Sequence, residues 1–214
     1  MGDLKLYMLN KPFGLLSQFS DEGHKQGLGS LQLPWGKDIY SVGRLDADSE
    51  GLLLLTNNNR LKTQLLDPDR GHERTYHVQV EGVHTKYQLQ QLHAPLPLRI
   101  KGKEFRTRGA KAKVISPAWP DRVPPIRVRK AVPDAWLELT LTEGKNRQVR
   151  RMTAAVGLPT LRLIRVSMGP WRLDNLAPGH WQELSMNLWN VGWEGLFEPS
   201  WPCCTPRHAV HSAS

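Results

Sequence analysis

Cysteine is almost missing from this 214-residue chain: Cys203 and Cys204 are the only two, and they are adjacent. Neighbouring cysteines offer neither a disulfide framework nor the spacing of a zinc site. Long apolar runs are missing as well. The longest, residues 52–55, is strand-sized, far below the ~18 residues that cross a bilayer. Asp3 and Lys5 interrupt the stretch that a secretory signal would keep apolar, and Leu6 stands where N-myristoylation wants Ser or Thr. Repeats and low-complexity blocks are absent, which excludes a solenoid. The eight histidines show no metal-ligand spacing, and Gly27-Leu28-Gly29 lacks the third glycine of a dinucleotide loop. What is left is a soluble protein, expected in the cytoplasm and off the membrane.

Acidic residues are scarce in one place only. Residues 1–98 hold 10 Lys/Arg against 11 Asp/Glu, residues 99–172 hold 18 against 5, and residues 173–214 hold 1 against 4. The whole basic excess therefore lies in the middle segment, whose net charge is +13. A local field of that size favours a polyanion, because each neutralised phosphate releases condensed counterions. Nucleic acid is the expected partner.

Apolar patterning alternates strands with short helices. Residues 4–9, 39–42, 52–56, 76–81, 112–115, 126–132, 136–142, 161–168 and 181–184 read as strands. Tyr76, Val78 and Val80 share one strand face, and Leu137, Leu139 and Leu141 another. A helix capped by Asn58 or Asn59 runs to Leu66, a second occupies 85–93 under a Thr85 cap, and a third occupies 146–156. Strands outnumber helices, so the expected fold is α+β on a mixed, mostly antiparallel sheet. Residues 1–184 form one domain; residues 185–214 change character and read as a C-terminal extension.

Two segments can carry chemistry. The loop Gly43-Arg44-Leu45-Asp46-Ala47-Asp48-Ser49-Glu50-Gly51 joins two strands and places acids at Asp46, Asp48 and Glu50. That pattern suits a divalent metal, a carboxylate pair, or a polar turn that only bonds its own backbone. The second segment, Glu143-Gly144-Lys145-Asn146-Arg147-Gln148-Val149-Arg150-Arg151-Met152, opens a helix with an apolar stripe of Val149, Met152 and Val156. Arg147, Arg150 and Arg151 fall on its other side, an arrangement suited to phosphate or to an ordinary solvated face.

Taken together, Asn10-Lys11-Pro12-Phe13-Gly14, Gly43-Arg44-Leu45-Asp46, residues 51–57, Arg74-Thr75-Tyr76, residues 143–152 and residues 161–169 follow one another in an order that resembles the ribosomal RNA pseudouridine synthases. Pro124-Pro125-Ile126-Arg127 and Leu173-Asp174-Asn175-Leu176 are most similar to members acting on the large subunit. The resemblance implies the pseudouridine synthase fold, with an active-site cleft across the sheet. It implies conversion of a uridine in large-subunit RNA to pseudouridine by cutting the glycosidic bond and rejoining the base through carbon, without metal or cofactor. It places the essential acid on Asp46, a tyrosine under the base on Tyr76, and an arginine paired with the acid on Arg150. Arg44 is placed to fill the space that a flipped uridine vacates, with Lys145, Arg147, Arg151, Arg127 and Arg129 as further RNA contacts. Relatives often carry a small RNA-binding domain ahead of the catalytic part; here the first strand comes at once, so the basic segment is expected to select substrate. A monomer is expected. Two readings compete: a silent RNA-binding protein of the same fold, and a metal-dependent nuclease using Asp46, Asp48 and Glu50.

Overall fold

Four consecutive leucines make sense only in a strand covered on both sides. Strand β3 (Glu50–Thr56) is buried at all seven positions, and Leu52 through Leu55 have no exposed surface. Burying each such side chain contributes about 1.5–3 kcal/mol, so this strand anchors the sheet. The computed structural model describes residues 4–126, 129, 132–184 and 210–211.

The remaining strands are β1 (Leu6–Lys11), β2 (Tyr40–Ser41), β4 (Arg74–Glu81), β5 (Pro97–Ile100), β6 (Lys103–Arg106), β7 (Lys111–Ile115), β8 (Asp134–Leu141), β9 (Thr160–Met168), β10 (Trp171–Arg172), β11 (Trp181–Glu183) and β12 (Val210–His211). Ten form one sheet in the order β12-β11-β1-β3-β9-β4-β8-β7, with β2 on β3 and β10 on β9. β3 and β9 run parallel at Glu50–Ile164 and Gly51–Arg165, and every other pairing is antiparallel. β5 and β6 stand apart as a hairpin. The architecture is α+β with a mixed, mostly antiparallel sheet, as expected.

One face of the sheet packs Leu53, Leu55, Val78, Val80, Leu137 and Leu139 beneath α2 (Lys86–His93) and α3 (Gln148–Ala155). The other packs Leu6, Met8, Leu52, Leu54, Ile164 and Val166 beneath α1 (Asn59–Leu66). The caps work as read: Asn58 accepts from Leu61 N at 2.9 Å, and Thr85 and Gln88 form a reciprocal capping box. The stripe Val149, Met152 and Val156 is buried.

Three expectations differ. α3 begins at Gln148 rather than Asn146, because Arg147 adopts φ 50°, a left-handed backbone that no helix propagates. The strand expected at 126–132 is not found at the described residues 126, 129 and 132; Pro124 and Pro125 lead into them, and residues 127, 128, 130 and 131 lie outside the described part. The hairpin β5–β6 was not anticipated, although Lys101-Gly102, both with positive φ, is the turn chemistry that hairpins use. Of the expected extension 185–214, only the short β12 is described.

Candidate active site

The parallel contact at the sheet centre creates the site. Gly51 has φ 103°, and a Cβ there would strike the backbone carbonyl of Arg165, so only glycine lets β3 approach β9 this closely. Beside it, β9 carries one extra residue against β4: Thr75 faces Ser167 while Tyr76 faces Arg165, which re-aims Tyr76 and Arg165. Above these strands lies a cavity of about 1280 Å³ that Arg44, Asp46, Asp48, Tyr76, Lys145 and Arg147 help to line. It exceeds the usual size of a small-ligand pocket, and arginine and lysine recur along its walls.

The loop 43–49 is tied down from below. Lys11, with no exposed surface, donates to the carbonyls of Pro12 and Leu15 at 3.0 and 2.7 Å. The turn so formed holds the loop: Gly14 N reaches Ala47 O at 2.7 Å, and the Ser17 hydroxyl bonds both the carbonyl and the amide of Leu45. Burial pushes the Lys11 ammonium down to about 8, opposed by Glu50, Asp48 and Asp46.

The three loop acids have separate fates. Glu50 points away from the cavity and is bound by Arg162 at 2.9 and 2.8 Å, both side chains buried. Asp48 accepts a two-pronged bond from Arg147 at 2.9 and 2.8 Å. Burial alone would raise the Asp48 carboxyl, but the Arg147 hydrogen bond and the charges of Arg150 and Arg147 outweigh it and hold it below its ordinary value. Asp46 is a third exposed, and its ion-pair contact is a looser 3.8 Å to Arg147. The acids thus do not converge; among the described residues no group of three His, Cys, Asp or Glu side chains is arranged to hold an ion.

The expected Arg150–Asp46 pair is not formed. Arg150 donates to the backbone carbonyl of Asp48 at 2.6 Å and approaches its carboxylate at 3.5 Å, with Thr160 O at 3.4 Å. Asp48, rather than Asp46, therefore meets the guanidinium. Asp46 still acts on Arg150 through its charge.

Arg44 and Lys145 are exposed cavity walls, and Lys145 lies 5.4 Å from the centre of the Phe105 ring. Arg151 is engaged elsewhere, donating to the carbonyls of Asn146 and Arg99 at 3.3 and 2.9 Å, and it does not line the cavity. Arg129 reaches Glu81 at 3.4 Å, also off the cavity wall, and Arg127 lies outside the described residues. Among the cavity residues that were not expected as site residues are five cations: Arg74 and Arg165, both buried, and Lys25, Arg106 and Arg108, all exposed. Arg74 was within reach, two residues before Tyr76; Arg165 carries no signal until the pairing of β9 with β3 is known.

Comparison with known proteins adds the rest. Residues 5–155 match the family model described as RNA pseudouridylate synthase. The ribosomal large subunit pseudouridine synthase E of Xanthomonas axonopodis pv. citri (strain 306) is 55% identical over 178 residues, covering 81% of this chain and 90% of that protein. Its namesake in Vibrio vulnificus (strain CMCP6) is 45% identical over 188 residues, covering 87% and 77%. A crystal structure of a pseudouridylate synthase superposes with a TM-score of 0.70 at 28% identity, covering 88% of this chain and 73% of that one.

Proposed function

Since this chain belongs to the RNA pseudouridylate synthase family, whose members isomerise uridine in RNA to pseudouridine, we propose that its target is a uridine of the large-subunit ribosomal RNA and that Asp46 is the essential catalytic residue. One observation carries the second part. Of the three acids on the catalytic loop, Glu50 and Asp48 are each consumed by a two-pronged arginine contact, and only Asp46 faces the cavity with its oxygens uncommitted at hydrogen-bond distance.

The reaction leaves no atom behind. The bond from C1′ to N1 of uracil breaks, the base turns, C1′ joins C5, the C5 proton departs and N1 gains one. A uridine within a stack must first leave it, and Arg44, an exposed residue of the cavity lining, takes its place. Asp46, as the carboxylate, acts on the sugar or the base of the extruded nucleotide. Tyr76, 9% exposed on the cavity floor, packs under the uracil ring and is placed to move the C5 proton. Arg150 works through Asp48: it fixes the carboxyl end of the loop and contributes positive charge near Asp46. Lys145 and Arg147 face the RNA strand.

Residues 1–184 constitute the catalytic domain, which works as a monomer in the cytoplasm without metal or cofactor. No described helix is long and apolar enough to cross a membrane.

The test is tritium release from large-subunit RNA carrying 5-tritiated uridine, with chelator present. Wild type releases tritium, and Asp46→Asn loses on the order of 10³-fold or more in rate while still binding RNA. Release by both proteins would remove Asp46 from its role. Release by neither, with RNA bound, would identify a silent RNA-binding protein.

A further inference from the structure

The hairpin β5–β6 and the turn after it are held to the catalytic motif by backbone, and the Arg106 and Arg108 side chains take no part in that hold. Arg108 N donates to the buried carboxylate of Glu143 at 2.9 Å. Arg151 on α3 grips the carbonyl of Arg99. Leu96 and Thr107 bond each other across the hairpin base, at 2.9 Å in both directions. Gly109 has φ 84° and lies so close to the carbonyl of His93 that no Cβ fits. The segment is therefore fixed at both ends against α2 and α3.

Phe105, Arg106 and Arg108 from this segment line the cavity. Arg106 and Arg108 are exposed, and among the described residues neither takes part in an ion pair. That separates them from Arg147 and Arg150, whose charge Asp48 offsets, and from Arg151, which serves two carbonyls. The cations available to an incoming polyanion are thus not the helix arginines that the sequence emphasises. Phe105 adds a half-buried ring face beside Lys145, the pairing of aromatic and cation that suits an unstacked nucleotide.

The geometry points to the β5–β6 hairpin as the RNA clamp of this enzyme: Arg106 and Arg108 hold the phosphates flanking the extruded uridine, and Phe105 stacks a neighbouring base. The inference rests on the synthase reading for the position of the uridine, while its test does not. Binding of a fluorescein-labelled oligouridine is measured by anisotropy across a salt series, for full-length wild type, Arg106→Ala/Arg108→Ala, Arg106→Lys/Arg108→Lys, Phe105→Leu, and Lys37→Ala/Lys86→Ala. The last pair removes two exposed cations that do not line the cavity. The alanine pair lowers the slope of log affinity against log salt by about 1.4, at ~0.7 for each phosphate contact on a single strand. The lysine pair retains the slope, and Phe105→Leu weakens binding roughly five- to hundredfold with the slope unchanged. An alanine pair that tracks the Lys37/Lys86 control overturns the clamp, as does a lysine pair that fails to restore the slope. Tritium release by wild type is read separately, so failure of the synthase reading is distinguishable from failure of the clamp.

Discussion

Replacing Glu50 by Gln should destabilise this enzyme far more than replacing Asp46 by Asn, although the two acids stand four positions apart where the loop runs into β3. Glu50 and Arg162 are each 5% exposed and meet through two bonds of 2.9 and 2.8 Å, while Arg162 also donates to Pro120 O at 2.7 Å. Removing the Glu50 charge strands a buried guanidinium, a change that costs about 3–5 kcal/mol. At roughly 2–4 °C per kcal/mol for a chain of this size, the melting temperature falls by about 6–20 °C. Asp46 is a third exposed and 3.8 Å from its arginine, so its ion pair is worth at most about 1 kcal/mol. Glu50→Leu/Arg162→Met removes both charges together and should recover about 1–3 kcal/mol against the sum of the single changes. Urea denaturation of wild type, Glu50→Gln, Asp46→Asn, Glu50→Leu, Arg162→Met and the double variant measures this directly, and tritium release on the folded fraction completes the contrast: Glu50→Gln keeps turnover, Asp46→Asn loses it. Additive single changes, or a Glu50→Gln protein as stable as wild type, would refute the assignment of Glu50 to the scaffold.

Lys11 should leave a pH signature: its pKa is about 8 when folded against an ordinary 10.5, so the unfolded chain holds the proton more tightly between those values and stability rises with pH across them, by roughly 3 kcal/mol. Lys11→Met erases that rise, read as the difference between the two proteins' denaturation curves from pH 7 to 11. On the opposite sheet face, Trp119 Nε1 donates to His77 Nδ1 at 3.0 Å, which fixes a neutral ring whose Nε2–H meets Glu138 at 3.2 Å. Burial lowers the His77 pKa against the pull of Glu138, so stability present above pH 6.5 is lost as pH falls below it; Trp119→Phe frees Nδ1 and should flatten this acid limb in the same assay. Asp48→Asn releases Arg147 and loosens the carboxyl end of the catalytic loop, so single-turnover tritium release at saturating RNA should fall roughly 10²-fold; a rate within twofold of wild type would deny Asp48 a positioning role.

What the sequence disclosed was whatever is local. The Asn58 and Thr85 caps, the two-residue periods of β4 and β8 and the stripe on α3 are each written within a few residues, and each stands where expected. The hairpin β5–β6 was legible from Lys101-Gly102 but was masked by the basic, proline-punctuated composition around it. Helical spacing correctly put Arg150 and Arg151 off the apolar stripe, although Arg147 precedes the helix, and spacing says nothing about partners 99 or 102 residues away. Those partners decide that Arg151 stitches the hairpin while Arg147 and Arg150 converge on Asp48. Arg165 is the extreme case, since its place in the cavity floor depends on a parallel contact with Gly51, 114 positions earlier in the chain.

The division of labour between Asp46 and Asp48 explains why a catalytic loop would carry two acids where the chemistry uses one. Arg147 lines the cavity and Arg150 meets the same loop from outside that lining, and a lone carboxylate there would be drawn into short bonds with them. Such a carboxylate would be hydrogen-bonded in place, poorer as a nucleophile or base, and harder to reorient toward a nucleotide. Asp48 takes the short bonds instead, through its carboxylate and its backbone carbonyl. Asp46 then lies near the arginines without being bound by them: its contact to Arg147 is 3.8 Å, and its oxygens remain free of short contacts. On this argument the absence of the simple Arg150–Asp46 pair is what leaves Asp46 available. Asp48 should be judged by what its loss does to Asp46 rather than by any contact of its own with RNA.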